Sequence, residues 1–176
     1  MILEKIKCGK NFPDDINVVI EIPANSLGVK YEFDKESGAI TVDRFISVAM
    51  HYPCNYGFVP NTLGDDGDPI DVLVVTKYPL QIGSVINAKP IGVLIMEDES
   101  GGDEKIIAVP TAKLDPSFKN VNNIEDLDDS LKSQIKHFFE RYKDLEPNKW
   151  VKVKEWSDSD DAKAILQKSK NNFKVS

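Results

Sequence analysis

Residues 64–75 read GDDGDPIDVLVV, so four aspartates within seven positions lead directly into an apolar run. In an extended chain Asp66 and Asp68 lie on one face, and Asp71 stands at the head of the apolar run after the bend at Pro69. Carboxylates that converge in this way repel one another by roughly 1 kcal/mol or more unless a cation lies between them. The spacing therefore favours a cation site over a solvated turn.

A second acidic segment, MEDESGGDEK at residues 96–105, also lies between two apolar runs. We expect the two segments to form opposite walls of one site, and oxygen ligands of this kind suit Mg²⁺ or Mn²⁺. An EF-hand loop that starts at Asp66 does not fit, because Ile70 and Asp71 would occupy positions that require an oxygen ligand and a glycine. The sequence has only two histidines, and neither lies near a second ligand, which disfavours zinc chemistry.

Cationic and phenolic side chains occur at strand ends and turns elsewhere in the chain. Each of them alone is typical of a surface ion pair or a core residue. Together with the acids they supply the groups that bind a phosphate compound with metal ions. Pyrophosphate carries about three or four negative charges near neutral pH, so a pocket this acidic requires roughly three or four divalent cations to hold it.

The apolar residues between positions 16 and 110 fall into short runs bounded by Gly, Pro, Asn and Asp, which predicts strands joined by tight turns. Residues 150–156 alternate in polarity and predict a further half-buried strand. After this strand a helix is predicted to begin at a Ser157 cap. The many short strands favour a small closed barrel over a parallel doubly wound sheet. Another helix, which is amphipathic and precedes the strand at 150–156, is predicted from an apolar stripe formed by Leu127, Leu131, Ile135, Phe138 and Tyr142.

Composition is that of an ordinary globular protein, and we expect one domain over residues 1–176, with 41% hydrophobic and 29% charged residues. The formal net charge of -7 argues against nucleic acid and anionic membranes as partners. The apolar runs are far shorter than the roughly 18 residues of a membrane span. The N-terminal sequence lacks the apolar segment of a signal peptide, so we expect a cytoplasmic protein.

The run DDGDPIDVLV has the pattern Asp-x-Asp-Pro-hydrophobic-Asp, which is the signature of soluble family I inorganic pyrophosphatases. The chain resembles the bacterial type of that family over nearly its whole length, through VVIEIPANS, KYEFDKESGAITVDR, YPCNYGFVPNTL, YPLQIGSVI and HFFERYKDLE. This resemblance implies a mainly β (α+β) fold, namely a highly twisted five-stranded OB-like β-barrel with two outer α-helices. It also implies Mg-dependent hydrolysis of pyrophosphate to two orthophosphates by direct attack of a metal-activated water.

The resemblance further implies a role for each polar residue of the site. Metal ligands would be Asp66, Asp71, Asp98, Asp103 and Glu32. The catalytic groups would be Asp68, as the general base, and Tyr56. The phosphate groups would be bound by Lys30, Arg44, Tyr56, Tyr142 and Lys143. The polar surroundings would be completed by Glu21, Tyr52, Glu99 and Lys105.

By the same resemblance, about three to four Mg²⁺ ions per active site accompany the substrate, with Mn²⁺ or Zn²⁺ as substitutes. The implied assembly is a homohexamer of two stacked trimers. Three other functions compete with this interpretation. A cation-binding β module without catalysis has no use for Lys30, Arg44 and Lys143 beside the acids, and an oligonucleotide-binding barrel conflicts with the acidic balance. A metal phosphohydrolase acting on nucleotides or monoesters is separated only by a substrate panel.

Overall fold

The computed structural model describes residues 5–34 and 37–173. Within these ranges it has two α-helices, α1 (Asp129–Arg141) and α2 (Ser159–Asn172). None of the helices described there is long and apolar enough to cross a membrane. The strands of the described part are β1 (Ile16–Ile22), β2 (Val29–Phe33), β3 (Ile40–Phe45), β4 (Asn55–Phe58), β5 (Asp71–Val74), β6 (Val85–Asp98), β7 (Gly101–Gly102), β8 (Lys105–Pro110) and β9 (Val151–Ser157).

Five strands pair in a closed ring. Antiparallel pairs join β1 to β4, β4 to β5, β8 to β6 and β6 back to β1, and one parallel pair joins β5 to β8. Strands β7 and β9 pair with β6, and within the described ranges β2 pairs only with β3. The ring and the two helices confirm the predicted mainly β fold with a twisted five-stranded core.

β6 spans 14 residues and pairs along its length with β1, β8, β9 and β7. Its register against β8 shifts between Pro90 and Gly92, where proline cannot donate to the ladder. A side chain at position 92 would meet the Cβ of Ile124 and the carbonyl oxygen of Ser157, each at 2.8 Å. This close approach requires glycine at position 92, and the far end of β6 carries Asp98 of the second acidic segment.

Two apolar clusters cover the two faces of the ring strands. On β5, Val72 and Val74 belong to one cluster and Leu73 to the other, as the period of two along a strand requires. This explains why the run after Asp71 is wholly apolar, since both of its faces are buried. One cluster includes Phe138 of α1, and the other includes Leu166 of α2.

Aspartates cap both helices. Asp128 accepts hydrogen bonds from the backbone N–H groups of Ser130 and Leu131 at the start of α1. The predicted Ser157 cap of α2 is wrong, because Asp158 caps that helix. Ser157 is instead the last residue of β9, where it pairs with β6. A carboxylate near the positive end of a helix also stabilises it more than a hydroxyl does.

Candidate active site

The acidic loop, defined here as residues 59–70, joins β4 to β5. The Val59 N–H donates to the Ile70 carbonyl at 2.9 Å. Thr62, which is 1% exposed, donates its hydroxyl to the Val59 carbonyl at 2.7 Å and accepts the Ile70 N–H at 3.0 Å. These bonds close the base of the loop and fix Asp71 at the first position of β5.

Carboxylates from both acidic segments line a single pocket. The acidic loop and the start of β5 contribute three of them, and the turn between β7 and β8 contributes two. The structure thus brings together Asp66, Asp71 and Asp103 from segments that lie some thirty positions apart in the sequence. The five carboxylates of the pocket are Asp65, Asp66, Asp71, Asp103 and Glu104.

Lys105 is the cation between these acids. Its side chain is buried, 4% exposed, and its ammonium forms ion pairs with both Asp71 and Asp103. Burial alone would lower the pKa of Lys105, but the two carboxylates outweigh burial and hold that pKa above its usual value. Burial raises the pKa of Asp103 despite the ammonium beside it. Lys105 therefore offsets the repulsion between Asp71 of β5 and Asp103 of the turn before β8.

Asp68 lies on the solvent side of the same loop. It is exposed, and its backbone N–H donates to Asp66 Oδ1 at 3.0 Å. Its carbonyl accepts the Gly64 N–H at 2.7 Å. Asp68 is not among the residues that line the pocket in the described part of the chain, although its neighbour Asp66 is. The loop thus holds Asp68 next to the pocket and in contact with water.

Asp98, at the end of β6, pairs with Lys143 at 2.7 Å. Glu99 contacts Lys143 at 3.4 Å and Lys149 at 3.1 Å, and it accepts the Trp150 N–H at 3.4 Å. Burial opposes ionisation of Glu99, but its own backbone N–H, Lys149 and Lys143 prevail and lower its pKa to about 2. The end of β6 is therefore tied to the segment that follows α1.

The β2–β3 hairpin carries the other predicted phosphate-binding cations. Lys30 is paired across the strands with Arg44, beside a register shift. The Lys30 ammonium contacts Glu32 and lies 3.2 Å from Asp43. The Arg44 guanidinium lies 3.8 Å from Asp43 and 3.3 Å from Glu146. Both cations therefore form ion pairs with carboxylates instead of projecting unpaired into the pocket.

Three tyrosines lie behind the acids as one aromatic group. The rings of Tyr52 and Tyr56 are 5.3 Å apart, and Tyr142 stacks on Phe138 at 5.3 Å. Burial and then the charge of Asp71 raise the pKa of Tyr56 well above its usual value. Burial is also the main cause of the raised pKa of Tyr52 and Tyr142. All three stay protonated as hydrogen-bond donors over the physiological range.

Glu21 is buried at 7% exposure and accepts the Phe33 N–H at 2.8 Å, which joins β1 to β2. Burial raises its pKa from 4.5 to about 8, with the charges of Asp71 and Glu32 acting in the same direction. Glu21 therefore attaches the last residue of β2 to β1 through a buried hydrogen bond.

The pairing of every site cation is a feature that the sequence does not reveal. Sequence analysis assigned the acids to metal ions and the cations to phosphate, whereas the structure pairs acids and cations with one another, because a buried charge requires a counter-ion. Asp43 and Glu146 were missed as site residues. Asp43 directly precedes Arg44, a usable signal, and Glu146 ends the family-like run HFFERYKDLE, but no local pattern joins Glu146 to Arg44.

The donor set of the pocket fits a hard divalent cation. Five carboxylates line the pocket, and the ammonium groups of Lys105 and Lys168 pair with three of them, which leaves a formal excess of three negative charges. In residues 5–34 and 37–173, no three histidine, cysteine or carboxylate side chains are gathered closely enough to hold a metal ion as they stand. Oxygen ligands in this number match the preference of Mg²⁺, Mn²⁺ or Ca²⁺ and not that of softer metals.

Comparison with known proteins gives the same family in sequence and in structure. The family model described as inorganic pyrophosphatase matches residues 18–174. An inorganic pyrophosphatase of Yersinia pestis is 58% identical over 169 residues, which cover 96% of this chain and 97% of that protein. One from Rickettsia conorii is 60% identical over 166 residues, covering 94% and 95%. The solved structure of an inorganic pyrophosphatase from Coxiella burnetii matches with a TM-score of 0.93 at 52% identity, covering 96% of this chain and 100% of that one.

Replacing Thr62 with valine should loosen the acidic loop. The substitution leaves the buried Ile70 N–H without its acceptor, which should lower the free energy of unfolding by about 1 to 3 kcal/mol. Hydrogen exchange at the Ile70 amide should accelerate as well. Thr41→Val is the matched control, because the Thr41 hydroxyl donates to a carbonyl at an exposed site. Equal exchange rates at Ile70 in wild type and Thr62→Val would contradict this role.

Replacing Glu21 with glutamine should change how stability depends on pH. A native pKa of about 8 against 4.5 in the unfolded chain means that the native state holds an extra proton between these values. Wild-type stability should therefore fall as pH rises through that window, by an amount on the order of 3 kcal/mol, and the variant should lack this loss. Denaturant unfolding with chelator at pH 5 and pH 8 measures it, with exposed Glu125→Gln as the control. Parallel profiles for wild type and Glu21→Gln would show the interpretation to be wrong.

Proposed function

Because the chain belongs to the inorganic pyrophosphatase family, we propose that it hydrolyses inorganic pyrophosphate to two orthophosphates with the help of Mg²⁺. The observation that carries the proposal is the pocket in which carboxylates of two separate segments surround Lys105. The pocket has an excess of negative charge, and Lys30, Arg44 and Lys143 supply cations that would bind phosphate. A site that binds metal ions without phosphate has no need of these basic side chains.

Divalent cations are the cofactor that the family and the donor set support. Asp66, Asp71 and Asp103 would hold the first of them, with Asp98 and Glu32 placed for the further ions that arrive with substrate. Such cations, when bound, lower the pKa of water and neutralise phosphate charge. A total of about three to four ions per site balances pyrophosphate against the acids, and Mn²⁺ or Zn²⁺ would substitute for Mg²⁺.

Asp68 is the proposed general base. Its backbone is tied to Asp66, so its carboxylate lies beside a proposed cation ligand and still reaches water. The attacking water forms a bond to one phosphorus, the bridging P–O bond breaks, and one proton of the water passes to Asp68. Asp68 then gives this proton to the departing phosphate. An aspartate is a suitable acceptor when the water has been made acidic.

The remaining polar groups would stabilise charge on the two phosphates. Lys30, Arg44 and Lys143 would each exchange a carboxylate partner for a phosphate oxygen, and the hydroxyls of Tyr56 and Tyr142 would donate without losing their protons. This exchange keeps the buried cations paired throughout. Phosphate oxygens are then bound without any ammonium or guanidinium being left alone in the protein interior.

We also propose that the chain forms a homo-oligomer, with the hexamer as the expected state. Leu27 and Phe45 are 74% and 73% exposed, an unusual exposure for large apolar side chains. Burial against a second copy would remove them from water. The cytoplasmic location stays a prediction.

A phosphate-release assay tests the proposed function. Wild-type protein with Mg²⁺ should release orthophosphate from pyrophosphate, and excess chelator should abolish the release. Asp68→Asn should lower kcat by about 100-fold or more while calorimetry still detects Mg²⁺ binding, because the general base is lost. Asp71→Asn should lose both activity and tight Mg²⁺ binding.

The control is Asp14→Asn, whose side chain is 72% exposed and pairs with Lys163 away from the pocket. It should match wild type in both measurements. A substrate panel should include a nucleoside triphosphate and a phosphate monoester. If pyrophosphate stays intact while either of these is cleaved, the substrate assignment is wrong.

A further inference from the structure

The segment after α1 contacts two walls of the site from one tight turn. The Glu146 N–H donates to the Lys143 carbonyl at 2.9 Å, and the Lys149 N–H donates to the Glu146 carbonyl at 3.3 Å. Lys143 extends from this turn to Asp98, whereas Glu146 extends to Arg44 of the hairpin. The turn therefore fixes the position of Glu146 relative to residues that are proposed to bind substrate.

The contact between Arg44 and Glu146 runs through the inner nitrogen of the guanidinium. Arg44 Nε lies 3.3 Å from Glu146 Oε1, and the two side chains are 25% and 14% exposed. Both atoms are buried, and within the described residues neither makes a hydrogen bond. A second carboxylate near Arg44 among the described residues, that of Asp43, lies 3.8 Å from NH1 and also contacts Lys30.

Stability alone does not account for this pair. Removing two charges from water costs several kcal/mol per ion, and attraction repays this only when good hydrogen bonds complete the pair. Here the hydrogen bond is missing, so an apolar pair would serve the fold at least as well. A charge retained under these conditions favours a role in placing Arg44.

We propose that Glu146 is a positioning residue, which orients Arg44 for the phosphate groups of pyrophosphate. A guanidinium has five N–H donors in one plane, so the ionic attraction of a carboxylate near Nε biases the orientation of that plane and leaves the terminal nitrogens for a two-point contact with phosphate. Arg44 also lies within electrostatic range of Tyr52 and Tyr142, which places it beside the aromatic group of the site. Without Glu146, Asp43 would be the remaining carboxylate partner of Arg44, and it would draw NH1 back along the hairpin.

This inference rests on the proposed function, and a double-mutant cycle with Arg44 tests it. Glu146→Gln keeps the shape and loses the charge, so it should raise KM for pyrophosphate about fivefold or more while kcat stays within about twofold. The dissociation constant of methylenediphosphonate, measured by calorimetry with Mg²⁺, should rise by a similar factor. Glu146→Asp keeps the charge on a shorter arm and should give an intermediate KM, and it also serves if Glu146→Gln folds poorly.

The informative comparison is the same substitution in an Arg44→Lys background. Lysine has no Nε–H in a planar group, so Glu146→Gln should then change KM by less than about twofold. Asp144→Asn is the matched control, since Asp144 lies in the same turn and pairs only with the exposed Arg141 among the ion pairs of the described residues. It should leave KM unchanged.

Two results would overturn the inference: an unchanged KM in Glu146→Gln, or an equal rise of KM in both backgrounds. Failure of the proposed function looks different, because wild-type protein itself would then leave pyrophosphate intact.

Discussion

Repulsion among carboxylates, offset by one buried ammonium, is the constraint on which the site depends. Asp71 opens β5 and Lys105 opens β8, and these two strands are the single parallel pair of the ring. Because Val72 pairs with Ile106, the residues just before them are also neighbours. The ring closure thus places an acid beside a cation at one end of the sheet, and Asp103 completes the group from the preceding turn. Neither acidic segment could approach the other at this distance without a positive charge between them.

The same principle extends outwards through the site. Lys30, Arg44 and Lys143 each contact carboxylates, so the protein holds its proposed binding groups in place by pairing them internally. A substrate would then compete with side chains that are already ordered, and less conformational entropy would be lost on binding. The aromatic group behind the acids contributes rigidity, because buried rings in mutual contact restrict the side chains in front of them.

Much of this arrangement follows from the sequence, and the limits are physical. The run after Asp71 is apolar on both faces, so its place as a central strand could be predicted, and the acidic spacing predicted that the two segments would line one site. Pairings that depend on tertiary approach could not be predicted. The contact between Arg44 and Glu146 joins residues about a hundred positions apart, and no local pattern encodes it. The cap of α2 was misplaced by one residue because strand pairing at Ser157 decides the boundary.

The central claim is that carboxylates of two distant segments form one cation site, and Mn²⁺ binding measured by electron paramagnetic resonance tests it most directly. The variants are Asp71→Asn, Asp103→Asn and the two combined. If both acids hold the same ion, each single change should weaken the tightest Mn²⁺ site by about tenfold or more, and the double variant should be little worse than either. Losses that simply add, or single variants that bind Mn²⁺ as wild type does, would contradict the account.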